Sequence, residues 1–543
     1  MPHCFKLARR LSCHRATRGS GDHPHVRRSF IRGLASIAGC LVLLAAVACT
    51  EDDPLAPAAA EPGATFDSTA QTEGDSAIVV VNDSMIDGVD PVLAAATTGT
   101  TIYPGQSIQD KVNSYAGGTT FTLKAGVHRL QMVNPKSGSS FVGEPGAILN
   151  GTRLLTTFTK QGNYWVSTGQ TQQGERRGDG YCLPDSPRCA YPEQLFINDK
   201  LLKHVASLAA VGAGEWYFDY GSDKIYFYDD PRGKKVETSV TKYAFFSNAR
   251  GVTVRGLIVE KYGSPAQYGA IGAGGGTSGW IVRDNEVRWN HGSGIRTGSG
   301  MQVLNNNVHH QGQMGIGGSG SNMLVQGNEI AYNNVAGYGT HWEAGATKFS
   351  HSDGLVVRGN FSHHNHGAGL WTDINNINTL YEDNRVEDND WRGIYHEISY
   401  KVVIRNNIIR RNGFNLPLAR AFPVDGAGIL IHDSQNAEIY GNTVEGNFNG
   451  IGAIESNRGS GKYGAYDIVN LNVHDNRVVQ PSGRAAGITQ HVGSNAVFTS
   501  KNNRFTHNSY DIGSSGRYFR WMNEDRSTPE WKGYGLDVTG TFQ

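Results

Sequence analysis

Val282-Arg283-Asp284-Asn285-Glu286-Val287 decides the fold, because this segment returns along the chain. It comes back as VLNNNV ending at Val308, VQGNEI ending at Ile330, and RGNFS with Asn360 and Ser362. EDNRV (Asn384, Val386), RNNII (Asn407, Ile409), GNTV (Asn442, Val444), DNRV (Asn476, Val478) and NNRF (Asn503, Phe505) follow. Measured from Val287, the steps are 21, 22, 32, 24, 23, 35, 34 and 27 residues. The base period is 21 to 24, lengthened by insertions near 338–350, 412–425 and 456–466. Most periods carry a second, glycine-led strand, such as Gly294-Ile295-Arg296-Thr297, Gly369-Leu370-Trp371-Thr372, Gly393-Ile394-Tyr395-His396, Gly428-Ile429-Leu430-Ile431 and Gly487-Ile488-Thr489. Strands this short cannot bury a face alone. Stacked coils can, because each covers the next. The recurrent Asn fits a tight turn, where it tolerates left-handed backbone and bonds its counterpart one coil away. Leucine-rich repeats share the period but would show more leucine and a helical segment. The pattern predicts an all-β parallel β-helix.

Working outward, SIQDKVNSY (107–115) reads as a short amphipathic helix capping the first coil, and TTFTLKAGVHRL and SGSSFVGEPGAILNG as early coils. QLFINDKLLKHV, GEWYFDY and DKIYFYDDPRGKKVE are longer alternating strands with hairpin-type turns. They predict a small inserted antiparallel β subdomain before the helix resumes at 251–263. The expected organisation is a signal peptide over 1–48, a disordered tether over 49–100, N-terminal coils over 101–186 and the insertion over 187–245. The main repeats then span 246–512, with a C-terminal cap over 513–543.

The 543 residues carry 49 Lys+Arg against 49 Asp+Glu, so the formal net charge is zero. A dedicated nucleic-acid binder would show a basic excess. There are 70 glycines and only 18 prolines, without a G-X-Y period, which excludes collagen. Residues 34–48 (LASIAGCLVLLAAVA) form one apolar run behind Arg27, Arg28 and Arg32, with the length of a signal-peptide core and not of a membrane span. VRRSFIR resembles a twin-arginine export signal. Ala46-Val47-Ala48-Cys49 resembles a lipobox, which makes Cys49 a lipidation site and a lipid anchor the one expected contact with the membrane; an ordinary small-residue cleavage site is the alternative. In an exported chain, Cys182 and Cys189 of GYCLPDSPRCAYP are expected to form a disulfide. A zinc site would need more ligands.

Equivalent residues on successive coils stack about 4.8 Å apart. With Ile295, Leu370, Ile394, Ile429 and Ile488 taken as inward, alternation turns Arg296, Trp371, Tyr395 and Leu430 outward. The next outward column then reads Gly298, His341, Asp373, Glu397, His432 and His491. Asp373 and Glu397 stand one coil apart, a spacing close to the ~5–5.5 Å between the carboxyl groups of a retaining glycosidase. Two close carboxylates raise one pKa and prepare a neutral acid. Trp371 and Trp342 offer aromatic faces to a sugar ring, and Tyr395 adjoins them. Arg296, Arg392 and the histidines supply partners for hydroxyls or a uronate. Glu343 and Lys348, in the first insertion, overhang the column as second-tier candidates, with Asp425, Asp433 and Glu455 behind them. His363-His364-Asn365-His366 has the composition of a metal cluster, but it occupies a position that other coils fill with His309-His310, Asn333-Asn334 or Arg410-Arg411. It reads as a polar turn, so no metal site is expected.

The repeats resemble the right-handed parallel β-helix superfamily of pectin-lyase type, over most of residues 101–512. Gly369-Leu370-Trp371-Thr372-Asp373 and Gly393-Ile394-Tyr395-His396-Glu397, followed by Ile404-Arg405-Asn406-Asn407, look like the LW-x-D, E and NN pattern of β-helix glycoside hydrolases of the β-xylosidase type. That resemblance implies Asp373 as nucleophile, Glu397 as acid/base, a carbohydrate substrate and no cofactor. A polysaccharide lyase is the alternative, with Lys348 and Arg392 acting on a uronate and the two acids holding Ca²⁺. The WiDH and RxPxxR strings of pectate lyases, the Asp-Pro-His-Glu string of mannuronan epimerases and the paired-Asp signature of polygalacturonases are absent. A glycan-binding surface lipoprotein without catalysis is the third reading.

Overall fold

The computed structural model describes residues 99–272, 278–415, 422–513 and 516–543. The expected signal peptide, the lipidation site Cys49 and the tether up to residue 98 lie outside the described residues. Among the described residues, regular structure begins at the strand Thr100–Ile102, whose first residue is the last of the expected tether.

Each coil contributes three short strands to three stacked sheets, and the chain is a right-handed parallel β-helix. Two sheets have 13 strands and the third has 11. One coil runs through Val356–Arg358, Phe361–His363 and Leu370–Asp373, and the next through Thr379–Glu382, Arg385–Glu387 and Ile394–Glu397. Their register pairs Val357 with Tyr381, Ser362 with Val386 and Leu370 with Ile394. Columns of Val, Ile and Leu thus pack rung on rung into one continuous core.

The turns are held by side-chain amides. Asn285 donates Nδ2–H to Asn306 Oδ1 at 2.9 Å, and Asn306 does the same to Asn328. The series continues through Asn360, Asn384, Asn407, Asn442, Asn476 and Asn508, each bond between 2.9 and 3.0 Å and buried. It ends on Asp537, whose Oδ1 accepts from Asn508 at 3.0 Å and whose Oδ2 accepts from Tyr510 Oη at 2.8 Å. A carboxylate only accepts, so it suits the last rung, where nothing follows to receive a donor. The last repeat therefore corrects the sequence reading: Val478 pairs with Tyr510, not Phe505, and Asn508, not Asn503, is the ladder member.

The ladder Asn and the left-handed residue are also separate positions. The residue before each Asn has positive φ: Asp284, Asn305, Gly327, Gly359, Asp383, Asn406, Gly441, Asp475 and His507. A second amide ladder runs five residues further on, through Asn333, Asn365, Asn389, Asn412 and Asn447 at 2.8–2.9 Å. Here the left-handed residues include Trp289, His310, Tyr332 and His364. Their rings stack in sequence at 4.3, 5.1 and 5.2 Å, which offsets a backbone conformation that bulky residues disfavour.

The antiparallel insertion is larger than its expected bounds of 187–245. Thr152–Leu155 pairs with Val236–Ser239, and Tyr164–Thr168 pairs with Lys224–Phe227. The insertion thus opens at Thr152, inside the stretch assigned to N-terminal coils. Leu155, Leu195, Trp216, Phe218, Ile225 and Phe227 give it a core of its own. At the ends of the main helix, Ile108 and Val112 of the helix Ile108–Ser114 enter the first coil's core. Trp531 of the helix Thr528–Gly533 seals the other end against Phe505 and Phe519, with ring centroids at 5.0 and 4.7 Å.

Asn407→Leu tests the ladder. It strips the acceptor from both the side-chain amide and the backbone N–H of Asn384, two buried donors. Unpaired buried donors cost about 1–3 kcal/mol each. Scanning calorimetry is expected to show a clearly lowered melting temperature, and an unchanged one would deny the ladder a role in stability.

Candidate functional site

The strands Leu370–Asp373, Ile394–Glu397 and Ala427–His432 lie side by side in the 11-stranded sheet. Leu370, Ile394 and Ile429 point into the core, and so do Thr372, His396 and Ile431; Thr372 Oγ1 meets His396 Nδ1 at 2.7 Å there. The pleat turns Trp371, Tyr395 and Leu430 outward in one column, and Asp373, Glu397 and His432 in the next. Asp373 and Glu397 are direct partners on neighbouring rungs, roughly 4.8 Å apart along the stack.

Both acids are buried, Asp373 at 5% exposure and Glu397 at 8%. Lys348 Nζ binds Asp373 Oδ2 at 2.8 Å, stands 3.6 Å from Glu343 Oε1 and donates to the Trp342 carbonyl at 3.0 Å. It also sits 4.3 Å from the Trp371 ring centre. On the other side, His432 Nδ1 lies 3.6 Å from Glu397 Oε2, and Arg458 Nη1 lies 4.0 Å from the same oxygen. Asp373 Oδ1, Glu343 Oε2 and Trp371 Nε1 are buried with no hydrogen-bond partner among the described residues. Buried polar atoms are nearly always paired, so three orphans around one ammonium mark a place built for something else to fill.

Burial, then the charge of Glu397, pushes the Asp373 carboxyl up to about 7, against the pull of Lys348. Two acids this close titrate as a unit, and the pair keeps one shared proton to near neutrality. Burial by itself would lower the Lys348 ammonium, but Asp373 and Glu343 outweigh it and hold it raised. Burial lowers His432 to about 4, leaving a neutral imidazole beside Glu397. Between its ordinary value and about 7, the folded chain keeps a proton on Asp373 that the unfolded chain has lost. This carboxyl therefore lowers stability as pH rises through that window.

The remaining candidates fall in different places. His432 shares the acids' column and bonds Tyr395 Oη at 3.1 Å. Trp371 is not an open shelf: it is 1% exposed, under Lys348 and stacked on Tyr395 at 5.4 Å. Arg392 is committed, with Nε on Asp425 Oδ1 at 2.7 Å and its guanidinium over Tyr395 at 3.9 Å. Arg296 points outward in the column of Lys348, two rungs before it. His341 leaves the column altogether; the insertion carries it on the helix Thr340–Glu343. Trp342, on the same helix, stacks on Tyr181 at 4.6 Å and serves the site through its carbonyl. His491 is also displaced, because the rungs after His432 in this column are Ile454 and Thr489; it meets Phe422 at 4.7 Å instead. Each slip has one cause: an insertion changes the residue count between rungs. Arg458 and Tyr466, from the 456–466 insertion, went unrecognised. The carboxyl of Asp373, after burial and Tyr400, helps raise the Tyr466 phenol to about 12.

Cys182 and Cys189 are disulfide-bonded, with Cα atoms 5.4 Å apart. This loop braces the insertion that carries Trp342: Leu183 N–H donates to the Gly337 carbonyl at 2.9 Å and Gly339 N–H to the Tyr181 carbonyl at 2.6 Å. Glu455, a lower candidate, is bound to Lys501 at 3.0 Å. Asp433 is bound to Ser456, whose N–H it accepts at 2.6 Å.

The family model described as a right handed beta helix region matches residues 270–444. No match is found among curated protein sequences. Among solved structures, the complex of XylC with xylose is similar at 16% identity and a TM-score of 0.58, covering 74% of this chain and 80% of that one. The A-module of the mannuronan C-5 epimerase AlgE4 from Azotobacter vinelandii aligns at 12% identity and a TM-score of 0.39, over 80% of this chain and 91% of that one. The catalytic domain of a GH87 alpha-1,3-glucanase in complex with tetrasaccharides aligns at 11% identity and a TM-score of 0.38, over 84% and 70%. At such identity the likeness to XylC is one of fold.

Carbon-13 NMR of carboxyl-labelled aspartate is expected to show one midpoint near 7, belonging to Asp373. Lys348→Met removes the contact that opposes this shift, so the midpoint moves to higher pH. A midpoint that stays in place would mean the ammonium does not act on the pair.

Proposed function

We propose that the chain is an exported carbohydrate-active enzyme, a retaining glycoside hydrolase with Asp373 as nucleophile and Glu397 as acid/base. One observation carries this reading: two buried carboxyl groups face each other on adjacent rungs, Asp373 held up to about 7, next to polar atoms without partners among the described residues. Retention needs one anionic and one protonated carboxyl at the same moment. Lys348 at 2.8 Å stabilises negative charge on Asp373, whereas Glu397 faces a neutral imidazole and a more distant guanidinium. The reaction therefore requires the pair's proton to lie on Glu397 once substrate is bound, leaving Asp373 anionic against Lys348.

In the first step Glu397 gives that proton to the glycosidic oxygen, and Asp373 attacks the anomeric carbon. The glycosidic bond breaks and a glycosyl ester forms. In the second step Glu397 takes a proton from water, the hydroxyl adds to the anomeric carbon, and Asp373 leaves as a carboxylate again. Lys348 meets the same charge at the start and at the end. Trp371 Nε1–H and Glu343 Oε2 supply a donor and an acceptor for sugar hydroxyls. The likeness in fold to a protein in complex with xylose accords with a pyranose substrate. The apolar run over 34–48 and the disulfide support export.

The lyase alternative asks Lys348 to act as base. Its ion pair with Asp373 favours the protonated ammonium, which removes the free electron pair that role requires.

A glycan-library screen tests the assignment. Asp373→Asn and Glu397→Gln are each expected to cut turnover by on the order of 10²–10⁴-fold or more while keeping the melting temperature. The wild type should release reducing sugar without the absorbance near 235 nm that elimination from a uronate produces. Near-normal activity in either variant, or that absorbance, would overturn the reading. Activity should also fall as pH rises through about 7, where the pair gives up its shared proton.

A further inference from the structure

A cavity of about 340 Å³ opens between the disulfide loop, the antiparallel insertion and the coils at His291, Val335 and Ala336. Neither acid of the pair lines it. Its walls are aromatic and polar together. His204 stacks on Trp216 with centroids 4.1 Å apart, Tyr191 meets His204 edge-on at 5.7 Å, and the Arg188 guanidinium covers Tyr191 at 4.2 Å.

Four polar atoms of residues that line the cavity are buried and have no partner among the described residues: Nδ1 and Nε2 of His204, Nε1 of Trp216 and Oε1 of Gln194. Trp216 is 0% exposed and Gln194 is 5% exposed. Leaving one such atom unpaired costs about 1–3 kcal/mol. Four around one cavity form a set of donors and acceptors awaiting a ligand of matching chemistry. Trp216 only donates, Gln194 Oε1 only accepts, and a neutral imidazole does one of each.

An apolar ligand would leave all four atoms unsatisfied. An anion would suit Trp216 and Arg188, but it would face Gln194 Oε1 and the Glu193 carboxyl, which also lines the cavity. Glu193 is itself satisfied by Tyr220 Oη at 2.7 Å. Hydroxyl groups donate and accept alike, and the C–H face of a pyranose rests on aromatic rings. The volume is at the low end of the ~300–1,000 Å³ of ligand pockets, which suits one sugar residue.

We propose that this cavity is a second saccharide site, taking one neutral pyranose residue and separate from the acid pair. One segment of the chain reaches both sites. Ala336 lines the cavity, and six residues on, the Trp342 carbonyl holds Lys348. The inference stands on the cavity's own chemistry and does not need the hydrolase assignment.

The test is equilibrium dialysis of the purified chain against radiolabelled D-xylose and D-glucose, with D-glucuronate alongside. The Asp373→Asn/Glu397→Gln background removes turnover. In that background the cavity is expected to take one equivalent of neutral sugar, told apart from any sugar at the acid pair by the two cavity variants. Gln194→Leu keeps size and removes the orphan acceptor, and it should weaken binding about tenfold. Ala336→Phe fills the cavity from the opposite wall and should abolish it. Circular dichroism melting checks that both variants fold. Binding that neither variant changes, no binding of any neutral sugar, or preference for glucuronate would overturn the proposal. Loss of the hydrolase reading would leave this titration as it is.

Discussion

The amide ladders set what every other part of the molecule has to work with. A parallel stack of three-residue strands has little of its own to fix register, and a slip of one residue would turn each column from core to solvent. Two rows of Asn side chains remove that freedom. Each amide donates to the next rung, and its oxygen accepts from the previous rung's side chain and backbone. The carboxylate of Asp537 then closes the first row, where an amide would leave a donor without a partner. Because register is fixed, an outward residue on one coil meets its counterpart on the next, and two acids separated by 24 residues become neighbours.

That placement is electrostatically unfavourable by itself. Two carboxyl groups share a buried floor, and the structure answers with one buried ammonium on one side and a neutral imidazole with a distant guanidinium on the other. The parts that do this come from different levels of the fold. The coils supply the acids and His432. Lys348 comes from a coil too, the strand Gly345–Phe349, and not from the first insertion as its sequence position suggested; that insertion supplies Glu343, and the disulfide loop braces it through Tyr181 and Leu183. The third insertion supplies Arg458. A regular solenoid would present the acids on an open wall; the insertions cover that wall and leave three polar atoms without partners among the described residues.

Much of the fold was legible in the sequence because its signal is periodic. The first ladder was read nearly residue by residue, and it failed only at the last rung, where Asn503 competes with Asn508. The second ladder lies five residues beyond the first and was visible as Asn333, Asn365, Asn389, Asn412 and Asn447. It passed unnoticed because Trp289, His310, Tyr332 and His364 in front of it look like aromatic or metal-binding residues, not turn residues. The insertion's start at Thr152 was hidden for another reason. The partners of Thr152–Leu155 and Tyr164–Thr168 are strands tens of residues later, and a strand's alternation does not say whether it joins a coil or a hairpin.

The sequence by itself determined the solenoid and the column shared by Asp373, Glu397 and His432, since both depend on local spacing repeated under a fixed period, and it paired two cysteines seven residues apart. Only the tertiary structure decided that Trp371 is covered and Arg392 committed, that His341 and His491 leave the column, and that Arg458 reaches the acids. It also decided that Trp216, His204 and Gln194 surround a cavity. Counting residues along a strand places side chains on a common face, but where an inserted loop folds back depends on contacts with parts of the chain that no period connects.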